Sequence, residues 1–150
     1  LTKGELNMLG VFSAMEVAAS GLGAERVRMN TIAANLANAR TTRTADGGPY
    51  RRIDPLFEAV GLDRSRSSGG PTGVSMVRVA RIVQDERPGQ LVHEPGHPDA
   101  NAEGYVEYPN VNAVEEMVNM ISASRAYEAG VTSIDTIKNM ARSAIDLGRG

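Results

Sequence analysis

The stretch from Ala113 to about Leu147 contains no proline, and this long uninterrupted segment restricts the possible folds more than any other feature. Apolar and small residues recur along it at alternating steps of three and four, which is the spacing of one face of an α-helix. At 1.5 Å per residue, the predicted helix is roughly 50 Å long. Asn112 is the expected N-cap, and Glu115 at the third helical position would complete a capping box. The predicted seam includes Met117, Met120, Tyr127, Val131 and Ile134.

A second long helix is predicted near the other end of the chain, over residues 11–38. Its apolar residues also alternate steps of four and three, as in a coiled-coil seam, with a polar interruption at Glu25. The small residues Ser20, Gly21 and Gly23 would let another helix approach closely. The seam consists of Val11, Met15, Ala18, Leu22, Met29, Ile32 and Leu36.

The central part of the chain has a different periodicity. Residues 50–60 and 74–84 are β-like, and short strands are expected at 90–93 and 105–108. The segment 63–73 between the first two strands is rich in glycine and serine, which predicts a flexible loop.

The predicted fold class is therefore α+β. Two long terminal helices pair as an antiparallel coiled coil, with a small β-rich insert between them. We expect a helical domain made of residues 1–39 and 111–150, and an insert over residues 40–110.

The composition argues against a self-sufficient compact core. Aromatic residues are only 4% of the chain, and tryptophan is absent, so a two-helix pair cannot bury much apolar surface. The other faces should be covered by further subunits, or the termini should be disordered in the free protein. The net charge of −2 gives no argument for nucleic acid or an anionic membrane. The absence of cysteine excludes disulfides and thiol catalysis.

The segment His93-Glu94-Pro95-Gly96-His97 spells H-E-x-x-H, which raises the alternative of a zinc hydrolase using His93, Glu94 and His97. That motif works on a helix, where both histidines share one face. Proline and glycine between them cost a helix about 4 kcal/mol together, so we expect a polar turn. The residues that follow resemble half of a calcium loop. Asn110 at its twelfth position cannot supply a bidentate carboxylate, so we expect a solvated loop and no metal or cofactor.

Four segments resemble a known family. The end of the first helix, "NTIAANLANARTTRT" (30–44), resembles the motif of flagellar axial proteins, the rod and hook subunits. Two longer segments, "PGHPDANAEGYVEYPNVN" (95–112) and "VEEMVNMISASRAYEAGVTSIDTIKNMA" (114–141), together with "GGPYRR" (47–52), are similar to the proximal rod subunits within that family. Arg40 and Gly130 depart from the family pattern, which has asparagine at both places. Glycine within a helix is costly, so a kink or a close neighbour is expected near Gly130.

The resemblance implies a structural subunit of the bacterial flagellar basal-body rod, with no catalytic residues and no small-molecule substrate. Such a subunit polymerises with other rod proteins and with copies of itself into a helical tube, and it transmits torque from rotor to hook. The resemblance also implies export through the flagellar type III apparatus without a cleaved signal peptide. A rod-base export-gate adaptor and the surrounding ring are further expected neighbours. The nearest alternative is another axial subunit of the rod or hook.

Several polar residues are candidates for assembly contacts. Asn35 and Asn38 are expected either to cap the helix or to bond backbone at its end or across a subunit contact, and Thr41 and Thr42 follow them. Glu116 and Arg125 are nine residues apart, so they cannot form a direct i,i+4 pair. They either lie on a solvated face or form ion pairs between subunits. Tyr127 is expected in the core.

Overall fold

The computed structural model describes residues 3–61 and 74–147, with side chains from Gly10 to Gly61 and from Val74 to Asp146. Along the chain, a long helix precedes four strands and a second long helix follows them, which confirms the α+β class. The predicted loop 63–73 lies outside the described residues. The elements are α1 (Lys3–Ala37), β1 (Ile53–Gly61), β2 (Ser75–Gln84), β3 (Gln90–His93), β4 (Tyr105–Tyr108) and α2 (Ala113–Leu147).

Helix α2 begins where the sequence predicts. The Asn112 side-chain oxygen accepts hydrogen bonds from the backbone N–H groups of Val114 and Glu115, at 3.0 and 3.3 Å. The Asn112 carbonyl accepts the first helical bond, from the Glu116 N–H. Asn112 is therefore the N-cap, which satisfies two amides that have no partner within the helix.

Helix α1 is longer than predicted at its start. It begins at Lys3 rather than at residue 11, because the segment from Glu5 to Leu9 contains strong helix formers even though it lacks the seam spacing. It ends at Ala37, and the backbone N–H and the side-chain amide of Asn38 both donate to the Ala34 carbonyl. Within the described residues, neither helix is long and apolar enough to cross a membrane.

The strands form two separate two-stranded sheets. Strand β1 pairs with β2, and β3 pairs antiparallel with β4 in the register Gln90–Tyr108 to His93–Tyr105. Strands β3 and β4 have the predicted bounds. Strand β1 begins at Ile53, three residues later than expected. The reason is that the preceding N–H groups are used elsewhere: that of Tyr50 donates to the Thr41 carbonyl, and that of Arg52 to the Asn110 side chain.

The described chain divides into two compact units, each containing part of both helices. One comprises residues up to Arg26, Phe57–Ala80 and the chain from Ser124 onward, and the other comprises Val27–Leu56 and Arg81–Ala123. The second unit contains most of the buried side chains. These are Thr31, Ile32, Asn35, Val106, Pro109, Glu116 and Ala123, whereas the first unit contains Ala24. The predicted division into a helical domain and an insert stays a prediction.

The two helices pack against each other within the first unit. A Cβ atom built on Gly130 of α2 would lie 2.7 Å from the Leu22 Cδ2 atom of α1. The close neighbour expected near Gly130 is therefore present, and glycine is the residue that admits it. Knobs-into-holes packing along the predicted seam stays a prediction.

Candidate assembly site

Asn35 near the end of α1 uses its full hydrogen-bonding capacity. Its Nδ2 group donates to the Ile53 carbonyl at 2.9 Å and to the Glu116 carboxylate at 3.1 Å. Its Oδ1 atom accepts from the Ile53 N–H and from the Tyr50 hydroxyl, both at 3.0 Å. Two donors and two acceptors are the whole inventory of an amide side chain. Asn35 is completely buried. Because it bonds both the N–H and the carbonyl of Ile53, it takes the place of a strand partner for the first residue of β1.

Glu116 in the first turn of α2 is the second buried member of this group. Its side chain is 1% exposed, and one carboxylate oxygen accepts from the Arg52 Nε atom at 2.8 Å while the other accepts from Asn35. Arg52 is 15% exposed and also contacts the Asp54 carboxylate. A buried charge needs such a partner, because an uncompensated one costs several kcal/mol. We call Asn35, Tyr50, Arg52 and Glu116 the polar junction.

The electrostatics of the polar junction follow from burial and charge. Burial raises the pKa of the Tyr50 hydroxyl, and the nearby Glu116 carboxylate raises it further. Burial alone would lower the pKa of the Arg52 guanidinium, but hydrogen bonds to Asp54 and Glu116 outweigh it and raise the pKa. Tyr50 therefore stays a neutral donor and Arg52 stays a cation, which matches the hydrogen bonds that they make.

Arg52 of the polar junction also bonds to residues that end or follow strands of the β-rich segment. The Arg52 N–H donates to the Asn110 side chain at 3.0 Å, and the Arg52 carbonyl accepts from the Asp85 N–H at 2.7 Å. Next to it, hydrogen bonds from Arg87 lower the pKa of the Asp85 carboxyl to about 2. Chain segments that are far apart in sequence thus meet at one residue.

The end of α1 and the segment after it are fixed by short-range bonds. The Asn38 side chain donates to the Ala34 carbonyl at 2.9 Å and accepts from the Thr41 hydroxyl at 3.2 Å, which caps the helix C-terminus. The Thr42 hydroxyl donates to the Asp99 carboxylate at 2.8 Å. These residues therefore hold the chain's own loops in place.

The H-E-x-x-H segment is a strand end followed by a turn. Strand β3 ends at His93, and the His97 N–H donates to the Glu94 carbonyl at 3.0 Å, which confirms the predicted turn. The His97 Nδ1 atom accepts from the Asp99 N–H, and the Glu94 carboxylate accepts from the Tyr108 hydroxyl. The two histidines do not share a helical face here. Over residues 3–61 and 74–147, no group of three or more potential ligands could hold a metal ion.

The structure corrects one interpretation of the sequence. Neither a solvated face nor an ion pair between subunits describes Glu116, because its carboxylate is buried and paired with Arg52 of the same chain.

Arg125 is exposed and Tyr127 is half-buried. On the seam, Ile32 is buried, whereas Met117 and Val131 are 55% and 40% exposed. The remaining seam residues are half-buried: Val11, Met15, Ala18, Leu22, Met29, Leu36, Met120 and Ile134.

Sequence reasoning did not identify Tyr50 and Arg52 as partners of the two helices. Both lie in the "GGPYRR" segment, which carries the family resemblance but has no periodicity that predicts a role. The signal that was available is the pair of adjacent arginines just before a strand, in a chain with few large side chains.

Two family models and several relatives match the sequence of this chain. The family described as "Flagella basal body rod protein" matches residues 15–43, and "Flagellar basal body rod FlgEFG protein C-terminal" matches residues 102–147. The flagellar basal-body rod protein FlgC of Borreliella burgdorferi is 45% identical over 95% of this chain and 100% of the relative. FlgC of Bacillus subtilis is 40% identical over 92% of the chain and 98% of the relative, and FlgC of Salmonella typhimurium is 39% identical over 94% and 100%. With identity at this level over nearly the full length of each relative, the chain belongs to the FlgC family of flagellar basal-body rod proteins.

Proposed function

We propose that the chain polymerises with other rod proteins and with copies of itself into a helical tube that transmits torque from the rotor to the hook. It is a structural subunit of the flagellar basal-body rod, as its family membership indicates. In this role the polar junction holds together the end of α1, the beginning of β1 and the beginning of α2. Torque can pass through a subunit only if its parts do not rotate against each other.

The main support for this proposal is the amount of apolar surface that the chain leaves exposed. In the part of the chain whose side chains the structure describes, fifteen large hydrophobic residues are between 39% and 70% exposed, and seven of them lie on α2. Buried hydrophobic residues, in contrast, are Ala24, Ile32, Val106 and Ala123 among the described residues. A monomer rarely presents so much apolar helix surface to water, whereas a subunit held on several faces requires it.

The proposal includes three finer elements. The chain reaches the rod through the flagellar export apparatus without cleavage of a signal peptide. Its neighbours at the base include the export-gate adaptor, and the surrounding ring lies outside. The exposed Arg125 forms an ion pair with an acidic residue of a neighbouring subunit, whereas Asn38, Thr41 and Thr42 support assembly indirectly through the chain's own loops.

Hydrogen exchange tests the structural role. In the dilute purified chain, we expect fast amide exchange in the outer parts of both helices, because the unit that contains them buries little. The same amides should become protected in isolated basal bodies. Full protection in the dilute chain, or absence of the chain from basal bodies, contradicts the proposal.

Another axial subunit of the rod or hook is the second candidate. It is favoured by the match of residues 102–147 to a C-terminal segment described for the FlgEFG proteins. Labelling the chain in isolated basal bodies separates the two. A position in the proximal rod supports the first candidate, and a position in the distal rod or hook supports the second.

A further inference from the structure

The segment between α1 and β1 contains an exposed aspartate followed by a glycine, Asp46 and Gly47. It is the one place in the sequence where glycine follows an aspartate or an asparagine. The main-chain nitrogen after an aspartate can attack the side-chain carboxyl group, and glycine leaves that nitrogen accessible because it has no Cβ atom. Asp46 is therefore the aspartate of this chain whose neighbour obstructs this reaction least.

The other aspartates whose side chains the structure describes are restrained by ion pairs or by helical structure. Asp54, Asp85 and Asp99 each contact an arginine side chain. Asp135 and Asp146 lie within α2, where main-chain amides donate to the carbonyl four residues earlier. An ion pair holds the carboxylate in place, and a helix holds the amide that would attack it. An aspartate in an exposed turn is held less firmly than either group.

The turn over residues 44–48 controls access to the Gly47 nitrogen. The Gly47 N–H donates to the Thr44 carbonyl at 3.0 Å, and the Thr44 N–H donates to the Gly48 carbonyl at 2.9 Å. Gly47 and Gly48 have φ angles of 84° and 75°, in the left-handed region that favours glycine. The nitrogen is free to react only after these bonds open. Exposed bonds of this kind open readily, so we expect the closed turn to slow the reaction on the order of tenfold.

We propose that Asp46 is a modification site, at which the aspartate converts to isoaspartate when the turn opens. The Gly47 nitrogen bonds to the Asp46 Cγ atom, and a carboxyl oxygen leaves as water with the N–H proton and the proton of the carboxyl group. Water then adds to the main-chain carbonyl carbon of Asp46 in the resulting cyclic imide and breaks its bond to the nitrogen. The product has the mass of the original chain, but its main chain runs through the Asp46 side chain.

The conversion changes the turn in which it occurs. It adds a methylene group to the main chain between Thr44 and Gly48, so the bond between these two residues cannot keep its geometry. The turn leads directly to Tyr50, whose hydroxyl belongs to the polar junction. We expect the Thr44 amide to exchange about tenfold faster in the isoaspartate form, because its acceptor has moved.

Peptide mapping after prolonged incubation tests the site. The purified chain is incubated at about pH 5, where more of an exposed carboxyl group is protonated than at neutral pH. One sample stays folded, as verified by circular dichroism, and the other contains guanidinium chloride. Trypsin then releases residues 44–51, and chromatography separates the aspartate and isoaspartate forms of equal mass. We expect isoaspartate in both samples, with formation on the order of tenfold slower in the folded one. Asp46→Glu is the matched control, because it keeps the charge but requires a larger ring and should give no second form.

A second variant tests the role of the turn. Gly48→Ala places a side chain at a φ of 75°, where residues other than glycine are strained. The turn should open about fivefold more often or above, and isoaspartate should form faster in the folded chain by the same factor, up to the rate in denaturant. The rate in denaturant should not change. Gly96→Ala is the control, since it adds the same methyl group in an exposed turn without a positive φ.

Each outcome decides for or against the site. Isoaspartate at Asp46 that forms in the folded chain, faster in Gly48→Ala and fastest in denaturant, supports the proposal. Equal rates in the folded and denatured samples, or no acceleration in Gly48→Ala, show that the turn does not control the reaction and overturn it. Conversion in denaturant alone, with no isoaspartate in either folded chain, also overturns it, because the folded protein would then carry no such modification.

Discussion

Replacing Glu116 with alanine should destabilise the chain far more than removing an exposed charge from the same helix. The variant leaves the Arg52 guanidinium without its buried partner and removes one acceptor of the Asn35 amide. Breaking a buried ion pair typically costs about 3–5 kcal/mol of unfolding free energy. Arg52 keeps Asp54 and is 15% exposed, so we expect the lower end of that range, about 3 kcal/mol. For a chain of this size that corresponds to a fall of about 6–12 °C in Tm.

Urea and thermal unfolding, followed by circular dichroism, measure this loss. Glu115→Ala is the matched control, because it removes an exposed carboxylate from the same helical turn and should change the unfolding free energy by about 0.5 kcal/mol or less. Arg52→Met/Glu116→Leu should lose less stability than Glu116→Ala alone, since it buries no unpaired charge. If Glu116→Ala and Glu115→Ala unfold within about 1 kcal/mol of each other, the burial argument is refuted.

Three further predictions concern the helices and the pH response. Gly23→Ala should stabilise α1 by about 1 kcal/mol in urea unfolding, because an added Cβ meets nothing within 4 Å. Gly130→Ala should gain less than Gly23→Ala or lose stability, because its Cβ would press on Leu22; an equal gain would show that the helices do not approach closely. The Asp85 carboxyl, whose pKa is lowered to about 2, should stay ionised at about pH 3 in an NMR titration. Since the folded pKa lies below the unfolded one, its contribution to stability is present above about pH 4 and is lost as the pH falls through about 2. In Arg87→Ala, the Asp85 pKa should return towards its usual value.

Much of the fold could be predicted because its signals are local. The N-cap at Asn112, the proline-free helix after it and the bounds of β3 and β4 each depend on residues within a few positions. The start of α1 at Lys3 was missed because the seam spacing begins only at residue 11, whereas helix formers continue the helix without it.

The polar junction could not be predicted in the same way. Glu116 and Arg52 are 64 residues apart, and Asn35 and Glu116 are 81 apart. Nothing in the local pattern distinguishes the buried Glu116 from the exposed Glu115 beside it. The identity of a buried partner depends on how the elements meet, and helical periodicity carries no information about that.

The bonds at Arg52 have a further consequence for how the chain can vary. Arg52 binds Asn110 and Asp85 through its backbone and Glu116 through its side chain. The residues just before and just after the β-rich segment are therefore bonded to each other. Lengthening a loop whose ends are already held costs little, only about 0.6 kcal/mol for each doubling of its length. A change in the length of the loops within the β-rich segment should therefore cost little entropy, because the bonds at Arg52 already hold the ends of the segment together.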